Sequence, residues 1–171
     1  MRLSGLVLLL FITIAVPSFA TGRSQTGRKV AARLAQNGPA KTLRYLSATE
    51  SSWNEFLDAV AHGDRCIIDA AVKIYDVADG HFAEEIVHSL GQALKTAPEA
   101  VLASTTDREL LASICDAPDV DLEIYDSRAK ALLELGRRQR AVSGLRVSTA
   151  RDQCLTHLEE AKGHITRFFK E

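Results

Sequence analysis

The chain reads as all-α: a single domain of about seven to eight short helices in stacked antiparallel hairpins, preceded by a cleaved export signal. Three observations lead there. Apolar residues recur at spacings of three and four through residues 39–171, and no segment alternates convincingly as a strand. Ser, Asp, Pro and Gly interrupt that rhythm at short intervals, where helices start and stop. The first twenty residues have the pattern of a secretory signal.

In that signal, Arg2 supplies the positive start, residues 5–16 are an unbroken apolar run, and Pro17-Ser18-Phe19-Ala20 ends in small residues suited to signal peptidase. Such a run is too short to cross a hydrocarbon layer roughly 30 Å thick. No later segment is long and apolar enough either, so no stable membrane insertion is expected after cleavage. Residues 21–38 read as a flexible polar and basic arm, with a short helical patch at 29–36 stopped by Asn37-Gly38-Pro39.

The helical domain is expected over 39–171, with Pro39 at a first helical position. Ser47-Ala-Thr-Glu50 reads as a capping box before a helix bearing Trp53, Phe56, Leu57 and Val60, which Gly63 ends. The next helix runs over 64–75 with Ile67, Ile68, Ala71 and Ile74 on one face. Asp79, its carboxylate accepting backbone amides, caps a fourth that carries Phe82, Ile86, Leu90 and Leu94. Short helices follow at Pro98 and over 107–114, the latter ending at Cys115. A seventh is expected over about 120–135, stopped by Gly136. The last begins between Ala141 and Val147, with a stripe of Val147, Ala150, Cys154, Leu155, Leu158, Ala161, Ile165 and Phe168. Short connections between such helices favour antiparallel neighbours.

The formal charge is −1, but it is unevenly spread. Residues 21–49 hold Arg23, Arg28, Lys29, Arg33, Lys41 and Arg44 and no acid; residues 107–126 are acidic, and 128–151 are basic again. Near-neutrality argues against nucleic acid, which demands a concentrated basic surface. The blocks read first as solvated helix faces, and second as a bipolar surface for a charged partner or a basic arm near anionic lipid.

Three cysteines leave one unpaired if a bridge forms. Cys115 at a helix end and Cys154 on the last apolar stripe are the favoured pair, because that bridge would pin the final helix to the body. Cys66, beside Ile67 and Ile68, reads as a small buried apolar residue, with an intermolecular bridge as the alternative.

No strong catalytic motif is present. Glu85-x-x-His88 has the spacing of ligands in carboxylate-bridged di-metal bundles, but the second copy and the further glutamates are missing. Asp76-x-x-Asp79-Gly80 lacks the alternate-position ligands and terminal glutamate of a calcium loop, so no metal or other cofactor is expected, and a site of His81, Glu85 and His88 is the weaker alternative. Glu84-Glu85 and Glu159-Glu160 are adjacent pairs that diverge by about 100° on a helix. Trp53 reads as a core anchor before a sugar platform.

Over about residues 53–121 the chain resembles a loosely defined group of small, exported, all-helical proteins of Gram-negative bacteria, themselves uncharacterised. The matching residues are Trp53, Gly63-Asp64, Asp79, Glu84, Ala93-Leu94, Pro98, Val101-Leu102, Cys115 and Pro118, with Cys154-Leu155 further on. The resemblance brings no activity. It implies the Cys115–Cys154 pairing and a structural role for Asp79 and Glu84; Cys66 departs from the pattern.

The expectation is a periplasmic or secreted, non-enzymatic helical protein that binds a protein partner in the cell envelope, of immunity or envelope-accessory type. Its expected contact surface is the acidic Asp116, Asp119 and Asp121 or the basic Arg137, Arg138 and Arg140. The alternative is a small cell-envelope enzyme acting on peptidoglycan, with carboxylates gathered from separate helices.

Overall fold

The computed structural model describes residues 21–116 and 127–168, apart from the side chains of 21–24 and 168. Among them the secondary structure is helical throughout: α1 (Thr21–Asn37), α2 (Pro39–Leu46), α3 (Glu50–Ala61), α4 (Arg65–Tyr75), α5 (Gly80–Ala93), α6 (Pro98–Ser104), α7 (Arg108–Cys115), α8 (Arg128–Ser143) and α9 (Thr149–Phe168). Residues 1–20, expected as the signal, and residues 117–126, where the seventh helix was expected to begin, lie outside the described residues.

Most boundaries follow local chemistry. Gly38, at φ 73°, separates α1 from α2, and Pro39 opens α2. Asp64 caps α4 by accepting the amides of Cys66 and Ile67, and Asp107 caps α7 by accepting that of Leu110. Gly63, at φ 84°, ends α3 in a left-handed turn that a larger residue would strain, and a Cβ there would meet Thr96 and Ala97 at 2.8 Å.

Four boundaries differ from the expectation, one of them being α9, which starts at Thr149 rather than between Ala141 and Val147. The cap of α3 is Thr49, not Ser47: its hydroxyl accepts the Ser52 amide, and the helix starts at Glu50. Asp79 precedes α5, but its side chain makes no cap hydrogen bond; only its backbone carbonyl accepts, from Phe82. Gly136 does not stop α8, which runs on to Ser143. A glycine inside a helix costs about 1 kcal/mol relative to alanine. Burial of Leu135 and Val142 on either side of Gly136 outweighs that cost.

The segment 21–38, expected as a flexible arm, is helix α1 with Val30 buried and Leu34 half-buried against the core. The reason is a close approach. Gly27 lies against Asp64, whose carboxylate oxygens would sit 2.8 Å from any Cβ added there. Lacking a side chain, Gly27 lets α1 settle onto the capped start of α4.

One core runs through the molecule, with Phe56, Ile67, Ile68, Ile74, Ile86, Leu90, Ile114, Leu135 and Leu158 among its fully buried side chains. Each is worth about 1.5–3 kcal/mol relative to exposure. The most extensive helix contacts join α8 to α9, α3 to α5 and α1 to α4. Only the first of these joins chain neighbours; α3 reaches past α4 to α5, which a simple stack of hairpins would not do. Cys115, at the end of α7, is bonded to Cys154 on α9 across 39 residues of chain, with Cα atoms 5.1 Å apart. Val147, placed on the last stripe by its spacing, lies before α9 and is 80% exposed.

Candidate functional site

The basic turn of α8 divides between surface and interior. Residues 131, 135, 138 and 142 share one helical face, and that face is buried: Ala131, Leu135 and Val142 with Arg138 among them. Arg138, expected on a partner surface, is therefore fully buried, a correction that the 3–4 spacing alone could have signalled. Its charge is answered by Glu134, one turn earlier and also buried, with Arg138 Nη2 3.7 Å from Oε1. Lys95, beyond the end of α5, reaches the same carboxylate, and Arg137 Nη1 lies 3.5 Å from Oε2. Burial pushes the Glu134 carboxyl up, but the hydrogen bond and charge of Lys95, with the charges of Arg138 and Arg137, outweigh it and hold the group below its ordinary value.

Arg137 and Arg140 stay on the outside of α8, as does Leu133, which is 53% exposed. These three positions are spaced four and three residues apart, so they form one outer face opposite the buried stripe. Of the acidic candidates, Asp116 is exposed at the C-terminal cap of α7, whereas Asp119 and Asp121 lie outside the described residues.

Asp116 borders a groove of about 310 Å³ together with Tyr75, Glu84, Val87, His88 and Ser113. The groove thus gathers two carboxylates, an imidazole, a phenol and a hydroxyl from α4, α5 and α7 and its cap. Glu84 and its neighbour Glu85 do diverge. Glu85 turns inward, where its Oε2 accepts the indole N–H of Trp53 at 2.6 Å and lies 3.1 Å from His81 Nε2. Glu85 and His88 therefore serve different surroundings, and among the described residues no group of three His, Cys, Asp or Glu side chains is placed to hold a metal ion.

Trp53 is buried, with Phe82 edge-on at 5.0 Å and Phe56 tilted at 5.4 Å, so it ties α3 to α5 as an anchor and offers no exposed platform. Cys66, expected in the core, is exposed. Ile67, Ile68, Ala71 and Ile74 take the inner face of α4, which leaves Cys66, Asp69 and Lys73 on the outer one. There Cys66 borders a groove of about 480 Å³ between α1, the start of α2 and α4.

A second charged region lies at α1 and α2. Arg28, Lys29, Lys41 and Arg44 are exposed, and Arg33 is half-buried with its guanidinium 3.4 Å above the ring of Tyr45. Composition had marked this basic block, but the meeting of Lys29 and Arg33 with the exposed Tyr45 depends on how α1 packs beside α2.

No protein-family model matches the chain, and no curated protein or solved structure matches it significantly.

Proposed function

We propose that the protein is exported to the periplasm by residues 1–20 and there binds another protein without catalysing a reaction, as an immunity or envelope-accessory factor. The observation that carries this reading is the outer face of α8, where Arg137 and Arg140 follow the exposed Leu133 along one side of a helix packed by its buried stripe and by α9. Arginines beside an exposed apolar residue on a packed helix suit recognition of an acidic protein surface. The apolar leader and the Cys115–Cys154 bridge both accord with an oxidising compartment.

The test begins with expression of the full chain in a Gram-negative host and sequencing of the mature N-terminus, expected at Thr21. Tagged protein is then used to capture partners from envelope extract, beside a variant carrying Arg137→Gln and Arg140→Gln. One dominant, salt-sensitive partner lost from the variant supports the reading. Equal capture by both proteins removes the α8 face from it.

The peptidoglycan-enzyme reading draws on one observation, the groove that brings Glu84 and Asp116 from separate elements to the same depression beside His88. It requires release of soluble fragments from purified peptidoglycan, abolished by Glu84→Gln or Asp116→Asn. Absence of release ends it.

A further inference from the structure

We propose that the face formed by α1 and α2 is a peripheral docking surface for an anionic phospholipid bilayer. Five bases of these two helices have described side chains, Arg28, Lys29, Arg33, Lys41 and Arg44, and none of them makes an ion pair among the described residues. Residues 21–49 contain no acid at all. The charge is also local: the whole chain is formally −1, so attraction to an anionic surface requires this face to be turned toward it.

The two edges of α1 differ. Along one, Ala31, Leu34 and Ala35 meet Asp69, Lys73 and Asp76 of α4 and its cap, so charges of both signs are mixed there. Along the other, Lys29, Ala32, Arg33 and Gln36 meet Tyr45 and Leu46 of α2 around an open groove of about 310 Å³ with no acidic residue in its wall. Two further acids at α1, Glu55 at Thr26 and Asp64 at Gly27, are both engaged near its N-terminal end.

A bilayer suits this face better than an acidic protein. Protein interfaces centre on apolar side chains and are poor in lysine. Here Lys29 and Lys41 take part, and the one large apolar side chain that is exposed is Tyr45, at 52%. An aromatic ring with a polar tip among flexible cations matches the headgroup layer, where such rings and long basic side chains settle. No described helix is long and apolar enough to cross a membrane, so the contact is one of adsorption.

The test uses residues 21–171, which contain all the described helices, in co-sedimentation with two sets of vesicles, phosphatidylcholine alone and phosphatidylcholine with phosphatidylglycerol. Binding is expected only to the anionic vesicles, falling steeply as salt is raised. The variant with Arg28, Lys29, Lys41 and Arg44 all changed to Gln is expected to bind more than about a hundredfold more weakly, from the usual contribution of each base near such a surface. These side chains are exposed, so an unchanged circular dichroism spectrum will establish that the variant is folded. No binding to anionic vesicles at low salt overturns the proposal. Equal binding to neutral vesicles, or by the variant, overturns it as well. Binding to polyglutamate without binding to vesicles reassigns the face to an acidic protein. Because no partner protein is used, the outcome is separate from that of the α8 experiment.

Discussion

Two clusters of positive charge, one on α1–α2 and one on α8, have opposite surroundings. On α8, Arg138 is buried and Arg137 half-committed, both against Glu134, with Lys95 reaching in from beyond α5. On α1–α2, Arg28, Lys29, Lys41 and Arg44 point to solvent without an ionic partner among the described residues. Similar composition thus has different consequences. A buried charge must be matched or the fold suffers, so the Glu134 cluster is committed to joining helices. An exposed, unmatched charge costs the fold almost nothing and stays available to a ligand.

The largest expected effect breaks this contrast from the α8 side. Glu134→Ala removes the buried carboxylate that Arg138, Lys95 and Arg137 share and is expected to destabilise by about 3 kcal/mol, the lower end for a broken buried pair, since Lys95 and Arg137 reach water. Urea denaturation would measure it, and Lys29→Ala or Arg44→Ala should stay within about 0.5 kcal/mol of the parent. A loss of similar size from either surface variant would refute the distinction.

The cluster also carries a pH signature. Because the folded state holds the Glu134 carboxyl below its ordinary value of 4.5, the unfolded chain binds the proton first on acidification. This contribution is complete above the unfolded value and is lost as the pH falls through the folded one. Glu134→Gln should flatten the stability curve in that acid range only.

Removing the Cys115–Cys154 bridge by a double change to alanine is expected to cost about 2–4 kcal/mol, and it sharpens the comparison by loosening the α7–α9 end alone. Hydrogen exchange should quicken in α7 and α9 while the amides of α1 keep their protection. Uniform loss across all helices would argue that the two ends unfold together.

Gly27→Ala acts on the opposite end. Its Cβ would displace the Asp64 carboxylate from the cap of α4, at a cost of about 1 kcal/mol. Faster exchange confined to α1 and the first turn of α4 is the expected readout, and vesicle binding should weaken if the basic face depends on α1 being docked. The smallest effect is a gain. At Gly136 a Cβ meets only Arg140 at 3.5 Å, so Gly136→Ala should stabilise α8 by about 0.5–1 kcal/mol in thermal melts.

Most of the helical frame was legible because its signals are local. Helices expected from about Asp64 and Asp107, Pro39 and Pro98 as openers and Gly63 as a stop each rest on signals within one turn. The Cys115–Cys154 pair was legible too, from a helix end and an apolar stripe. What escaped depended on distant neighbours. Ser47 and Thr49 are both competent caps, and the register of α3 against α5 selects between them. Gly136 has the local character of a stop, yet packing on α9 carries the helix through it. Of the candidate surface, Arg137, Arg140 and Asp116 are exposed, while Arg138 sits on the buried stripe, and Cys66, expected in the core, is turned out by the isoleucines that follow it.

By itself, the sequence determined the helical class, most helix boundaries and the uneven spread of charge, since propensity, capping and composition act over a few residues. Tertiary structure alone decided that 21–37 is a packed helix, that Lys95 reaches the Glu134 carboxylate, and which bases remain unmatched among the described residues. Those outcomes depend on which surfaces meet across long stretches of chain, as when Gly27 meets Asp64 or Lys95 meets Glu134.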